Sequence, residues 1–128
     1  MSLDKKKPAD GTLNWSFPLW SNLNVLANID ENENIYIATE DGNIFFLNAD
    51  GTSNKAIYIE NEVLRPLIID VDGIIYLVSG KKIIAFYPDG TEKWSHEFTE
   101  DITASPIMDE TGTIYVSTRD GKIWVIGE

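Results

Sequence analysis

No cysteine occurs anywhere in this 128-residue chain. Disulfides, thiolate-held metals and cysteine nucleophiles are therefore excluded, while the redox compartment stays open. Histidine is reduced to a single residue, His96, and one imidazole with no positional logic around it supports no Ser-His-Asp arrangement. Arginine is nearly as scarce, with Arg65 and Arg119 alone, each read as a surface ion-pairing group among the acids. No apolar run approaches the roughly 18 residues that cross a bilayer, and no ten-residue stretch has helical apolar spacing. Met1-Ser2-Leu3-Asp4-Lys5-Lys6-Lys7 has a basic run with no apolar segment behind it, so it is not a signal peptide. Residues 1–9 are expected to be a disordered leader or cloning scar, and the chain to be cytoplasmic or the mature part of an exported protein. Positive charge is short as well: 10 Lys+Arg stand against 21 Asp+Glu, for a net charge of −11. Such a surface repels phosphate backbones and anionic lipid, so neither a nucleic-acid partner nor membrane insertion is expected.

What the chain does contain is a globular composition, 43% hydrophobic and 11% aromatic, with charge spread along its length. It also contains itself three times. Asp10-Gly11-Thr12 aligns with Asp50-Gly51-Thr52 and Asp89-Gly90-Thr91, at steps of 40 and 39 residues. In the same register Asp30 meets Asp70 and Asp109, Ile35-Tyr36 meets Ile75-Tyr76 and Ile114-Tyr115, and Ile44 meets Ile84 and Ile123. The repeats are therefore 10–49, 50–88 and 89–127.

Each repeat predicts four short strands. In the third they are Glu92–Phe98, Ile102–Met108, Thr113–Ser117 and Lys122–Ile126. The first alternates, with Trp94, His96 and Phe98 on one face and Lys93, Ser95 and Glu97 on the other, as a half-buried strand does. The last two are dense β-branched and aromatic runs, which predicts inner strands covered on both faces. Asp-Gly pairs at 41–42, 50–51, 72–73, 89–90 and 120–121 supply the positive φ of tight hairpins. Pro66 and Pro106 fall near the starts of second strands, where a missing N–H matters least. A β-sandwich needs no 40-residue period, whereas a propeller does, because each blade packs on the next through the same face. The expected fold is an all-β propeller with three four-stranded blade equivalents, a partial ring or half of a six-bladed one.

One segment carries a family resemblance. Ala85-Phe86-Tyr87-Pro88-Asp89-Gly90-Thr91-Glu92-Lys93-Trp94, followed by Ala104-Ser105-Pro106-Ile107 and Gly112-Thr113-Ile114-Tyr115-Val116-Ser117, resembles the repeat of pyrroloquinoline-quinone-like (quinoprotein dehydrogenase-like) propellers. The first repeat shares Trp15 and Asn48-Ala49-Asp50-Gly51, and the second carries Lys55 where Trp is expected. In that family the Trp strand is the outermost of its blade and docks its indole on the neighbouring blade. The resemblance thus implies that Trp15 and Trp94 are blade-docking residues. It also implies a ring of roughly six to eight blades, closed by a second chain as a homodimer or by the remainder of a longer propeller. The family's quinone enzymes hold calcium with carboxylate and amide oxygens, and no segment here matches that cluster. Cofactors are therefore not expected, with pyrroloquinoline quinone plus calcium as the alternative.

Other candidates have structural readings. Asp70-Val71-Asp72-Gly73 opens like a calcium loop, but the twelfth position is Lys81 rather than Glu, so it and Asp30-Glu31-Asn32-Glu33-Asn34 read as hairpin turns. His96 aligns with Phe17 and Ile57, an apolar position, and is expected to be a half-buried structural histidine. Gly121-Lys122 belongs to a hairpin rather than a phosphate loop. Trp20 has no Trp counterpart in the other repeats, where Glu60 and Thr99 stand, and is the candidate partner contact. The expected function is a non-enzymatic scaffold or binding module acting through protein or ligand contacts on blade loops. The alternatives are a fragment of a quinone-dependent dehydrogenase and a structural repeat of a surface protein.

Overall fold

The computed structural model describes residues 10–19, 25–59, 61–63, 65 and 67–127. Eleven strands and no helix occur among them. β1 (Val25–Ile29), β2 (Ile35–Thr39), β3 (Asn43–Leu47) and β4 (Ser53–Tyr58) form one antiparallel sheet in chain order, blade I. β5 (Ile68–Ile69), β6 (Ile75–Ser79), β7 (Lys82–Phe86) and β8 (Glu92–Glu97) form blade II in the same way. β9 (Ile107–Met108), β10 (Ile114–Ser117) and β11 (Ile123–Ile126) form blade III. The fold is that of a β-propeller slice. Its sheets are out of phase with the sequence repeats, since blades I and II each take their outermost strand from the repeat that follows, and blade III has three strands among the described residues.

Three sequence expectations change in detail. The second strand of the third repeat shrinks to Ile107–Met108, with Ile102 contributing an isolated bridge to Thr118. The register places Ile83, not Ile84, with Ile44 and Ile123: Ala38 faces Ile44, Val78 faces Ile83 and Ser117 faces Ile123. The cause is the β6–β7 hairpin, which turns through Gly80-Lys81 alone and is one residue shorter than its counterparts. Finally, β6 and β7 are buried on both faces, but β10 has one exposed face and β11 alternates between exposed and half-buried. A strand is covered twice only when a blade lies on each side, and among the described residues no blade follows blade III.

The core is therefore not central but split between the blade junctions. Tyr36, Ala38, Ile44 and Phe46 of blade I pack on Ile75, Leu77, Ile84 and Phe86 of blade II. Tyr76, Val78, Ile83 and Ala85 on the other face of blade II pack on Ile114 and Val116 of blade III, with Trp94, Trp124 and Ile126 at the margins. Edge-on aromatic contacts, Tyr36–Phe46 at 5.6 Å and Phe46–Phe86 at 6.3 Å, add orientation to the apolar burial.

His96 departs from its expected half-buried state and is exposed, its ring 4.6 Å from that of buried Phe98. At the rim the imidazole keeps its nitrogens in water, where they need no protein partner, while its carbon edge helps to cover Phe98.

Candidate functional site

The repeated polar residues do structural work. In each blade the Asp that follows the innermost strand accepts backbone N–H groups through one oxygen and a tyrosine hydroxyl through the other. Asp30 Oδ1 takes the N–H of Asn32 and Asn34, and Oδ2 takes Tyr36 at 2.6 Å. Asp70 does the same with Asp72, Ile74 and Tyr76, and Asp109 with Thr111, Thr113 and Tyr115. The carboxylates that resemble a calcium loop thus spend their oxygens on closing a turn. Partial burial works to raise the Asp30 pKa, but the bonds from Tyr36, Asn34 and Asn32 prevail and hold it below the usual carboxylate range. Burial, reinforced by the same carboxylate, pushes the Tyr36 hydroxyl well above its ordinary range. The constant six-residue spacing from Asp to Tyr was visible in the sequence, though the pairing was not read from it.

The tryptophans sit at blade margins. The Trp15 indole lies on the β3–β4 turn of blade I: a Cβ on Gly51 would come within 2.5 Å of its Cδ2. Phe17 stacks edge-on against Phe45 at 5.5 Å, so residues 15–17 run along the face of blade I. Lys55 repeats this placement one blade on, its stem over Gly90, where an added Cβ would meet Cδ at 2.5 Å. The aliphatic stem of a lysine covers apolar surface as an indole does, so the exchange of Trp for Lys keeps the contact. Trp94, half-buried, touches Tyr76 at 5.9 Å and packs within the junction between blades II and III. None of these rings is presented as a free stacking platform. Trp20 lies outside the described residues.

A concavity forms on the face that carries the β2–β3-type hairpins and the connectors between blades. It is a cleft of about 470 Å³ lined by Asn61, Glu62, Arg65, Val78, Gly80, Asp101, Ile102 and Arg119. Both arginines of the chain are here. Arg65 donates through Nη2 to the carbonyl of Thr103 at 2.8 Å, and Arg119 pairs with Asp101 at 3.4 Å across an exposed contact. The walls are stiff because each connector is stitched to a hairpin. Val63 N–H donates to Glu40 O, Ile102 N–H to Gly80 O and Arg119 N–H to Asp101 O, while the Ser79 hydroxyl donates to Glu62 O. A polar, mixed-charge cleft on a stiff frame suits recognition of another molecule's polar surface. Asn61, Glu62 and Asp101 had no sequence signal, since connector residues do not repeat.

On the opposite face the charged residues lining the two grooves are all acidic. Asp70, Asp72, Asp109 and Glu110 border a groove between the turns of blades II and III, and Asp30, Glu31, Asp70 and Asp72 border another between blades I and II. Among the described residues no helix is long and apolar enough to cross a membrane.

Comparison with known proteins reaches the fold through structure alone. No family profile and no curated protein sequence matches the chain. Among solved structures, BamB from Moraxella catarrhalis superposes with a TM-score of 0.63 at 19% identity, over 78% of this chain and 32% of its own. BBS1N, solved in complex with ARL6DN, gives 0.65 at 20% identity, over 82% of this chain and 36% of its own. A putative exported protein of Bacteroides fragilis gives 0.61 at 15% identity, over 95% and 37%. The chain spans about a third of the length of each. At these identities the likeness speaks to architecture, and it assigns three blades of a β-propeller to this chain.

Proposed function

We propose that this chain is a propeller binding module whose working surface is the connector face, where the cleft between blades II and III receives a protein or ligand partner. The observation that carries this reading is the convergence of Arg65, Arg119, Asp101, Glu62 and Asn61 around one open, stiff-walled cleft. The strands converging there are held by buried blade junctions, so the loop residues can vary without disturbing the fold. BBS1N, a structural neighbour, was solved in complex with ARL6DN, which supports contact with a partner as the mode of action. Kinship with pyrroloquinoline-quinone-like propellers is part of the same proposal, supported by the Asp-Gly-Thr-x-x-Trp run at 89–94.

Site-specific photocrosslinking tests it. A photoreactive residue at Arg119 or Asn61, in cells of the native host, is expected to give discrete adducts that Arg65→Glu diminishes, while the same probe at Glu110 on the acidic face gives few. Equal labelling from both faces would remove the cleft from consideration. Incubation with pyrroloquinoline quinone and calcium provides the second arm: stoichiometric cofactor absorbance retained after desalting would replace the binding-module reading by the quinoprotein one.

A further inference from the structure

Each blade has a leading face toward the next blade and a trailing face toward the one before. On blade II the leading positions Tyr76, Ile83 and Ala85 are 6%, 0% and 0% exposed; on blade I their equivalents Tyr36, Ile44 and Phe46 are each 1% exposed. Blade III carries the same kinds of residue at the same positions, Tyr115, Ile123 and Val125, yet they are 37%, 67% and 62% exposed, with Ile107 beside them at 68%. Of the three copies of this face, two are covered and one is bare. The trailing face of blade I shows the converse: Ile29 is 56% exposed, whereas its equivalents Ile69 and Met108 pack against the cores. Contiguous apolar surface of this kind marks an association site.

We infer that the leading face of blade III docks on the trailing face of blade I in a second copy of this chain. The two face types are complementary, because junctions I–II and II–III already mate them. The N-terminal segment fits the same scheme. Trp15 lies on Gly51 as Lys55, on the outermost strand of blade I, lies on Gly90 of blade II. Residues 13–17 therefore occupy the place that the outermost strand of a preceding blade would hold, and β11 of the partner is the edge strand they would flank. The junction is heterologous, and using it twice, once in each direction, brings six blades together in a closed pair.

The register makes the contact testable. Asn43 pairs with Tyr58 and Lys82 with Glu97 across the third and outermost strands, so Lys122 of one copy should face Pro18 of the other. Because the chain has no cysteine, Lys122→Cys with Pro18→Cys should give a disulfide-linked dimer on mild oxidation, and a chain that stays monomeric on a non-reducing gel would overturn the placement. Sedimentation of the wild-type chain at tens of micromolar should show a dimer. Val125→Lys on one face or Ile29→Lys on the other should weaken it at least 100-fold while leaving the circular dichroism spectrum unchanged, both positions being exposed in the monomer. Mixing these two variants should restore a dimer through the one unblocked junction. A cooperatively folding wild-type monomer, or association indifferent to both substitutions, would overturn the inference in favour of covering by further blades of a longer polypeptide.

Discussion

At the scale of single residues, the Asp–Tyr clasp separates turn chemistry from site chemistry. Tyr36 is buried and its hydroxyl serves Asp30, so Tyr36→Phe should cost about 1.5–3 kcal/mol, the usual range for a hydrogen bond to a charged group, as read from urea melts. The pH dependence follows from the directions of shift. Asp30 is held below its unfolded value in the native state, so its contribution is complete above the ordinary carboxylate range and fades as pH falls through the lowered value. Tyr36 is shifted the other way, so its share persists below the ordinary phenol range and is lost as pH rises beyond it. Asp30→Asn should shrink the acid limb of the stability profile and also reduce the alkaline limb, leaving there only the share that burial of Tyr36 supplies; an unchanged acid limb would remove the clasp from the account. The sequence displayed both partners as repeat landmarks. Their bond was hidden because six residues of spacing span a hairpin whose closure only the folded turn reveals.

Tryptophan can be weighed at the same scale. Trp94 sits in the packed junction with Tyr76 and the second core, so Trp94→Ala should cost on the order of 3 kcal/mol. Trp15 is 44% exposed, and Trp15→Ala in the same denaturant titration should cost well under half as much. Equal losses would mean that residues 13–17 are held more firmly than their exposure indicates.

Between residue and blade, turns and connectors decide what a substitution does. Gly42 and Gly112 share a left-handed backbone, at φ 100° and 89°. A Cβ on Gly112 meets nothing within 4 Å, whereas one on Gly42 lands 2.5 Å from the carbonyl oxygen of Asn61. Gly112→Ala should thus pay backbone strain alone, about 1 kcal/mol. Gly42→Ala should lose distinctly more, since the clash is with main chain that cannot swing aside. Matched thermal melts of the two variants check this. The strands themselves were legible, since Asp-Gly turns and β-branched runs state a hairpin plainly. The β6–β7 hairpin escaped because deletion of one residue in a two-fold alternating pattern leaves Ile83-Ile84 equally apolar in either register. The cleft escaped for a different reason: Asn61, Glu62 and Asp101 come from connectors that are alike in path and not in composition.

For the whole molecule, charge and packing pull in opposite directions. A net charge of −11 on each chain makes two copies repel at long range, while the docking faces are apolar. Salt screens the first term and spares the second. Raising the ionic strength from 0.02 to 0.5 M should therefore tighten self-association several-fold in light scattering. An association that weakens with salt would point to paired charges across the junction instead.

The offset between repeats and sheets also bears on how such chains change length. Because blades I and II each take their outermost strand from the following period, excision or duplication of one full period leaves such sheets with four strands wherever the breakpoints fall. A tandem copy of residues 50–88 would splice Pro88 to Asp50 and regenerate the Asp-Gly-Thr turn already present at 89–91. Removal of the same stretch would join Ala49 to Asp89 and rebuild it equally well. Recombination at the gene level thus needs no exact junction to add or drop a blade, and ring size becomes one of the easiest properties of this architecture to vary by descent.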